Sequence, residues 1–593
     1  MGKNGQHHDE NASPAESGMS RRGLIMGGGA AAAAAAFSAA SPAFAASAAA
    51  SPGGPVRSDP GGSGSDGDGD LLLVNGRIHT MDGRDTVVSS ALISDGRFVA
   101  LGKDAERQPV GKATRVDLRG RTAIPGIIDS HNHIVLVGNR PGYHTPLEDV
   151  FTIPKAVARL KARVKDVPSG KFITTVGPIS AMQFQERRLP NLTELDAVSR
   201  PVFIEAAQGG VVTNGLGKTY FESHGIVVNA DGSLAGSAFG TGPAGQALQL
   251  LREQFLTAED RERTALEVLQ YYAGLGITTH LDAGAFHTDE PNGAIFGENK
   301  YTMHAPFLAL NGAEKLPVRL RVDFLLEDTD PSLPELTARL KNSFPFFGND
   351  MMRTGAIGEF TGGGFQGMGT PLWLEATKRV AKAGWRNENH SLTTTDYKAI
   401  IDGWVAVNQE FPIKDLRWVA AHVPFITSEY IQKLKALGGG VKVGWGPTRT
   451  GTLQGPPYRT ILDSGIPAGY HSDGGDITVI NPWLNFYTMV TGRNLQGDLI
   501  NAGQTLTRTE VIRMATAGNT WFIHEDDLGP IKVGNRADLV VLDQDFFSVP
   551  ESKIPQTRAV LTVVGGDVVH DTGELAPPRK GWGGWRHRYG HRS

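Results

Sequence analysis

Short apolar segments that end in polar residues alternate with helical stretches through the middle of the chain. This alternation is the pattern of repeated strand–helix units. Eight strands are predicted, at Ala123–Asp129, Gly276–Asp282, Leu320–Phe324, Thr354–Glu359, Trp385–His390, Arg417–His422, Val441–Trp445 and Ala468–Asp473. Eight units are the number that closes a (β/α)8 (TIM) barrel, an α/β fold whose catalytic side chains lie at the carboxyl ends of the strands.

Two strand-rich segments flank this middle region. Short strands are expected at Leu71–Ile78 and Phe98–Ala100, and again at Ala537–Leu542 and Ala559–Val569. We therefore predict a small β-sandwich domain built from residues 71–121 and 525–576, the two ends of the chain that remains after the processing described below. A barrel over 122–524 lies between these two segments in the sequence. The stretch from about 135 to 270 is too long for one connection, which predicts an inserted subdomain after strand 1, placed to cover the barrel mouth.

The first residues are predicted to direct export rather than to fold. Ser20-Arg21-Arg22-Gly23-Leu24 pairs two arginines ahead of an alanine-rich apolar stretch, and Ala43-Phe44-Ala45 fits a signal-peptidase site. We expect the twin-arginine translocation machinery to export the protein and residues 1–45 to be removed. The product would be secreted or extracytoplasmic. A membrane anchor is the alternative, but the segment is short and weakly hydrophobic for that role.

Two further segments lie outside the predicted domains. Residues 46–70 are rich in Pro, Gly, Ser and Asp and are expected to form a disordered linker. Residues 577–593 form a basic and aromatic tail. Its aromatic side chains suit stacking on a polysaccharide or base, and packing on the protein's own surface is the alternative.

Composition narrows the chemistry. The 593 residues carry 58 Lys+Arg against 62 Asp+Glu, a net charge of -4, which argues against a nucleic-acid-binding protein. The chain has no cysteine. Disulfides, thiol nucleophiles and Cys-type zinc or iron–sulfur sites are therefore excluded. A bound metal would need His, Asp and Glu ligands. Nothing in the sequence fixes the oligomeric state, and a homo-oligomer is left open.

Metal-binding residue types stand at the ends of five predicted strands. Strand 1 runs into His131-Asn132-His133, whose two imidazoles lie on the same side of an extended chain. The other strand ends supply Glu359, His390, His422 and Asp473. Each one alone could be a satisfied core group or a helix cap. Together they would surround the top of the barrel, and four histidines with two carboxylates suit Zn²⁺ or a similar ion.

These residues stand within motifs that resemble the amidohydrolase superfamily over about residues 71–575. The motifs are Ile124-Pro125-Gly126-Ile127-Ile128-Asp129-Ser130-His131-Asn132-His133, Gly276-Ile277-Thr278-Thr279, Ser472-Asp473 and the exit segment Gly529–Asp543. The segment from Leu189 to Asp196, followed by Pro201-Val202-Phe203-Ile204, resembles the amidohydrolase 3 group, which includes N-substituted formamide deformylases.

The resemblance implies roles for the ring of residues. His131 and His133 would bind the more buried ion, His390 and His422 a second one, and Asp473 would bind metal and move protons. The family often bridges two ions with a carbamylated lysine at the end of strand 4, where this chain has Glu359. One or two divalent ions are therefore expected, zinc first, with Mn²⁺, Co²⁺ or Fe²⁺ as alternatives. Glycine at 209–210, where relatives commonly carry a histidine, indicates a shifted substrate preference.

The expected reaction is hydrolysis of a C–N bond in a small amide, formamide or cyclic amide. A bound metal ion would activate water, and Asp473 would carry the proton to the leaving amine. His280 and His471 are candidates for holding the oxyanion, with packing as the alternative. Tyr143, His144 and Trp445 are candidates for lining the pocket. Two other readings stay open at this point, namely hydrolysis of an ester, lactone or other C–O bond, and a catalytically dead barrel used for binding.

Overall fold

The computed structural model describes most of the chain after the predicted export signal and linker. The described residues are 70–109, 111, 113–207, 210–238, 240–288, 297–300, 302–444, 446–449, 455–475 and 478–575. The predictions for the export signal, nearly all of the linker, Gly209, Trp445 and the tail over 577–593 therefore fall outside the described residues.

Eight parallel strands follow one another in chain order in two four-stranded sheets. The first sheet contains Ile127–Asn132, Ile277–Asp282, Arg319–Phe324 and Met352–Ile357, and the second contains Glu388–Ser391, Val419–His422, Gly440–Val443 and Ala468–Tyr470. Isolated parallel bridges join the two sheets at both edges, between Ile357 and Asn387 and between Asn132 and Gly474. We call this arrangement the eight-strand ring and number its strands in chain order. The predicted α/β class is confirmed.

Helices lie between the ring strands. They span Ala258–Leu275, Ala305–Gly312, Pro334–Asn342, Pro371–Lys382, Thr394–Glu410, Ser428–Ala436 and Tyr458–Asp463, and Pro482–Thr491, Arg508–Ala515 and Thr520–Ile523 follow strand 8. The helix before strand 2 begins at a capping box formed by Thr257 and Asp260 and ends at Gly276, whose φ of +89° favours glycine. Within the described residues, each helix is too short or too polar to cross a bilayer.

Two further sheets lie outside the ring, and the larger of them combines strands from both ends of the described chain. The four-stranded sheet has the order Arg97–Leu101, Ala91–Ser94, Leu71–Val74, Thr114–Asp117, and the six-stranded sheet has the order Asp567–Asp571, Ala559–Val564, Leu539–Leu542, Thr122–Pro125, Arg77–His79, Val87–Val88. One hydrophobic cluster includes Leu73 and Ile93 of the first sheet and Leu539 and Val563 of the second. Burial of this shared cluster holds the two sheets together.

The single strand predicted over Ala123–Asp129 is divided in the structure. Thr122–Pro125 pairs with Leu539–Leu542 in the six-stranded sheet, and ring strand 1 begins only at Ile127. The amide of Gly126 donates to Asp538 O, whereas the amide of Ile127 donates to Gly276 O. A Cβ on Gly126 would lie 2.1 Å from Thr278 Oγ1. The apolar run is continuous through this junction, so the pattern alone does not reveal that the chain changes sheets.

Residues between ring strands 1 and 2 form a separate five-stranded sheet. Its order is Ser233–Leu234, Val211–Val212, Val202–Glu205, Ile173–Thr175, Tyr143–Thr145, and the helices Ile153–Arg163, Leu192–Leu195, Gly215–Ser223 and Pro243–Phe255 accompany it. Two hydrophobic clusters lie within this insertion. Its Glu148 carboxylate accepts hydrogen bonds from the amides of Ile480 and Asn481, just after ring strand 8. The insertion is therefore attached to the segment that follows Asp473.

The remaining described elements are short. They comprise the strand pair His287–Thr288 and Glu298–Asn299, the helices Lys103–Arg107, Ile134–Gly138 and Gly364–Gly367, and the 3-10 turns Val164–Asp166, Ala181–Gln183, Lys414–Leu416 and Glu551–Gln556.

Candidate metal centre

The six predicted metal-binding side chains converge at one edge of the eight-strand ring. They are His131, His133, Glu359, His390, His422 and Asp473, and all six are buried or nearly so. Ligand atoms of His131, Glu359 and His422 lie within 4.8 Å of one another, as do those of His131, His133 and Asp473. His131, which belongs to both groups, joins them into a single cluster.

Glu359 lies between two pairs of histidines. One carboxylate oxygen, Oε1, is 3.6 Å from His133 Nε2, and the other, Oε2, is 3.6 Å from His131 Nε2. The same Oε2 is 2.8 Å from His390 Nδ1 and 3.3 Å from His422 Nε2. The carboxylate predicted to stand in for a bridging lysine therefore contacts both histidine pairs.

Asp473 closes the cluster on the side of ring strand 8. Its Oδ1 is 3.4 Å from His131 Nε2 and 3.4 Å from His133 Nε2, and its Oδ2 is 3.9 Å from His422 Nδ1. With 13% of its side chain exposed, it is more accessible than Glu359 at 5%. Asp473 is therefore the carboxylate of the cluster that a substrate can approach most readily.

Two of these residues adopt an unusual backbone conformation. His422 has a φ of +68° and Asp473 a φ of +54°, in the left-handed region that side chains other than glycine disfavour. Both lie where a ring strand ends, so the chain turns sharply there. Such conformations persist when the surrounding structure enforces them, and they concentrate at functional sites.

The cluster is electrostatically matched to a cation. Burial opposes ionisation of Glu359, but the neighbouring His390 and His422 outweigh it and hold its pKa well below the usual value. Burial likewise opposes ionisation of Asp473, but His422, His131 and His133 hold its pKa well below normal. Burial lowers the pKa of His133, yet Asp473 and Glu359 raise it to about 9. Both carboxylates are thus negatively charged at neutral pH, as ligands of a divalent ion need to be.

The donor set fits a zinc-like ion. Nε2 of His131 is buried and forms no well-aligned hydrogen bond within the described part of the chain. The oxygens of Asp473 and Glu359 lie 3.4 and 3.6 Å from it, as expected for ligand atoms that face a common point rather than one another. Imidazole nitrogens and carboxylate oxygens are ligands that zinc accepts. The residues present therefore fit the expected group.

Groups behind the histidines fix their rings. His133 Nδ1 lies 2.8 Å from Gly284 O, and His131 Nδ1 lies 2.7 Å from Glu388 Oε1. Glu388 in turn pairs with the buried amine of Lys442. The sequence analysis missed Glu388 and Lys442. Their signals were present, because Glu388 precedes His390 by two residues on one strand and Lys442 is flanked by valines in a buried strand.

The two histidines predicted to hold an oxyanion lie in different surroundings. The buried ring of His471 has its centroid 4.8 Å from that of His422 and 5.1 Å from that of His131, beside the cluster. The ring of His280 instead stacks on Tyr272, with centroids 4.9 Å apart. Burial lowers the pKa of His280 to about 3. The structure thus brings His471, and not His280, next to the predicted metal ligands.

The described candidates for lining the pocket lie in the insertion. The ring of Tyr143 lies under the guanidinium of Arg263, 4.0 Å from it, and His144 Nδ1 is 3.2 Å from Thr175 O. Burial, followed by the charge of Arg263, lowers the pKa of His144 to about 3. These contacts account for both side chains without the cluster. A small cavity beside the cluster is lined instead by Leu392, His422, Gly444, Gly446, Arg449, Ser472, Asp473 and Thr478.

Comparison with known proteins identifies a family and several relatives. A model described as "Amidohydrolase family" matches residues 114–570. The chain is 22% identical to N-substituted formamide deformylase of Arthrobacter pascens, over 84% of this chain and 97% of that protein. Among solved structures, it is similar to an uncharacterized metal-dependent hydrolase of Pyrococcus horikoshii, with a TM-score of 0.54, 18% identity, and coverage of 81% of this chain and 99% of that one.

A second solved structure gives a similar match. It is a triazine hydrolase from Arthrobacter aurescens. The TM-score is 0.52 and the identity 16%, and the match covers 85% of this chain and 95% of that one. At these identities the two structural matches establish the fold.

Proposed function

This chain belongs to the amidohydrolase family, and from that premise we propose that it is an exported metal-dependent hydrolase that cleaves a C–N bond in a small amide, formamide or cyclic amide. The observation that carries the proposal is the single cluster of four histidines and two carboxylates at the ring's edge. The relative named as a formamide deformylase supports the choice of bond.

We assign the metal ligands as His131, His133, Glu359, His390, His422 and Asp473. Zinc is the expected ion, and the position of Glu359 between the two histidine pairs favours two ions. When bound, such an ion lowers the pKa of its water to about 7 and polarises the substrate carbonyl.

The chain's own residues would then move the proton and stabilise charge. A carboxylate oxygen of Asp473, at the cavity beside the cluster, accepts the proton of the attacking water and returns it to the leaving nitrogen. His471, beside His131 and His422, is the better placed of the two oxyanion candidates. The cavity lining of Arg449 and Thr478 would contact the rest of a small substrate.

We further infer that the eight-strand ring is a closed (β/α)8 barrel and that the four- and six-stranded sheets form a β-sandwich. The bridges at both edges of the ring and the shared hydrophobic cluster support this interpretation. Export through the twin-arginine system is proposed from the Arg21-Arg22 motif, the apolar stretch after it and the Ala43-Phe44-Ala45 site. Sequencing the amino terminus of secreted protein tests it, and a mature chain beginning at Ala46 is expected.

A substrate panel tests the proposed activity. Purified protein loaded with zinc is assayed on N-substituted formamides, simple amides and cyclic amides, against esters and lactones with matched acyl groups. Hydrolysis of a nitrogen substrate is expected, and its loss in His131→Ala, with the fold retained, would assign it to this centre. A preference for the esters or lactones would refute the C–N assignment, and metal-free wild-type protein with full activity would refute the metal-dependent mechanism.

A further inference from the structure

A chain of buried charged residues lies directly behind the metal-binding histidines. Glu388 Oε1, on ring strand 5, is 2.7 Å from His131 Nδ1, and Glu388 Oε2 pairs with the amine of Lys442 on ring strand 7. Ring strands 1, 5 and 7 are thus tied together through these three side chains. All three are completely buried, with a side-chain exposure of 0%.

We propose that Glu388 and Lys442 are positioning residues that fix the tautomer and orientation of His131, so that its Nε2 is presented to the metal ion. The proposal rests on the proposed function, because it assigns His131 as a ligand. A neutral imidazole carries one N–H, and its other nitrogen can bind a metal. When Nδ1–H donates to the Glu388 carboxylate, the lone pair of Nε2 is left facing Asp473 and Glu359.

Lys442 supports this arrangement in two ways. Its Nζ donates to Ser130 O at 2.6 Å, so it holds the backbone next to His131, and it also pairs with the carboxylate that holds the His131 ring. A buried carboxylate without a cation would be costly. Arg386 lies 3.6 Å from Glu388 but forms its shorter contact, 3.1 Å, with Asp323. Lys442 is therefore the principal countercharge of Glu388.

Stability alone does not account for this pair. The interior of a strand ring of this kind is usually filled by branched apolar residues. Replacing a buried ion pair by apolar residues of similar volume is often neutral or stabilising. A carboxylate that orients a metal-binding histidine, in contrast, commonly strengthens metal affinity by roughly 10- to 100-fold. The contact between Glu388 and His131 Nδ1 is the one that apolar residues would not replace.

Two double variants separate positioning from charge. In both, Lys442→Met removes the cation; Glu388→Gln then keeps an oxygen that accepts from His131, whereas Glu388→Leu does not. Both pairs are uncharged, so neither variant leaves a buried charge unpaired. Zinc affinity is measured by competition with a chelator, and the visible spectrum is recorded on Co²⁺-loaded protein, because that spectrum reports ligand geometry.

We expect the Leu-containing variant to bind zinc roughly 10- to 100-fold more weakly than the Gln-containing variant, with a changed Co²⁺ spectrum. Equal affinities and spectra, with tight binding by wild type, would overturn the positioning role and leave the metal centre intact. No zinc binding by wild type would overturn both this proposal and the proposed function. Arg319→Met/Asp538→Asn changes a buried pair at the amino ends of ring strands 3 and 1, opposite the cluster, and this control should leave zinc affinity unchanged.

A measurement on the wild-type fold covers the case in which the Leu-containing variant fails to fold. In zinc-loaded protein with ¹⁵N-labelled histidine, His131 should show a protonated Nδ1 and an unprotonated Nε2. Its signals are assigned by their loss in His131→Gln. A protonated Nε2 with a bare Nδ1 would overturn the proposal, because Glu388 would then have no proton to accept.

Discussion

Asp473 and His131 are joined twice, once through the backbone and once through their side chains. The amide of Asp473 donates to His131 O at 3.0 Å, and Asp473 Oδ1 lies 3.4 Å from His131 Nε2. The backbone contact lies where the last ring strand meets the first. The same two residues therefore belong to this junction and to the metal-binding cluster, and a change that loosens the junction should affect both.

Asp473→Asn should reduce turnover by roughly 10²- to 10⁴-fold, because an amide cannot carry the proton between water and the leaving nitrogen. The side chain keeps its size, so the fold should survive. The measurement is kcat on a nitrogen substrate that wild type hydrolyses, together with the melting temperature and zinc content. Asp526→Asn, at an exposed position, is the matched control. Near-normal turnover in Asp473→Asn would contradict the assigned role.

Elemental mass spectrometry of protein purified without added metal or chelator should find close to two divalent ions per chain. Glu359 contacts both histidine pairs, so Glu359→Gln should reduce the content towards one ion by weakening the shared ligand. Glu375→Gln, on the helix Pro371–Lys382, is the control. One ion in wild type, unchanged in Glu359→Gln, would show that Glu359 is not a bridge.

Glu148 should make stability depend on pH between about 4.5 and 7. Burial raises the pKa of its carboxyl to about 7, against three hydrogen bonds that favour the charged form. Because the pKa is higher in the folded state, the stabilisation is complete below the unfolded pKa near 4.5 and is lost as the pH rises through 7.

Denaturant unfolding across that range tests this prediction. The free energy of unfolding of wild type, relative to Glu148→Gln, should fall with rising pH by on the order of 3 kcal/mol, since each pKa unit corresponds to about 1.4 kcal/mol. Asp149→Asn, next in the chain and paired with Arg159, is the comparison. A pH-independent difference between wild type and Glu148→Gln would refute the shift.

Arg319 should be essential for the junction between the ring and the six-stranded sheet. Its buried guanidinium pairs with Asp538 at 3.0 Å and also with Asp350. Arg319→Met leaves the buried Asp538 without this cation, which should cost about 3–5 kcal/mol in the free energy of unfolding. Arg319→Met/Asp538→Asn should recover part of that loss, whereas Arg115→Met at the surface should change little. Equal losses in the single and double variants would show that Asp538 is not the relevant partner.

The sequence predicted the order of the ring strands better than their ends. Apolar segments identify most of the strands because burial favours apolar side chains, although ring strand 5, Glu388–Ser391, is buried and polar. Glu359 and Asp473 were predicted as strand ends, yet the strands stop at Ile357 and Tyr470. Beyond those points the backbone turns to aim a side chain, as the φ of +54° at Asp473 shows. Hydrophobic pattern carries no information about such turns.

The metal ligands were predicted from residue types that are uncommon in a protein core. The prediction was incomplete because the residues behind the ligands do not stand out in this way. Histidines at several strand ends pointed to metal, because buried histidines at several ends rarely coincide by chance. Glu388 lies in a polar strand and Lys442 between two valines, and neither sequence shows that the two side chains meet behind His131. His280 met the same sequence criterion as His471, but the ring of His280 packs on Tyr272.

The pairing of Thr122–Pro125 with Leu539–Leu542 has a consequence for biosynthesis. While the chain is being translated, the segment that leads into ring strand 1 waits with one edge unpaired until Leu539–Leu542 has left the ribosome. Only one glycine separates that segment from the strand bearing His131. A nascent chain interrupted before Leu539 would expose this edge to other chains, so chaperone protection during synthesis is expected.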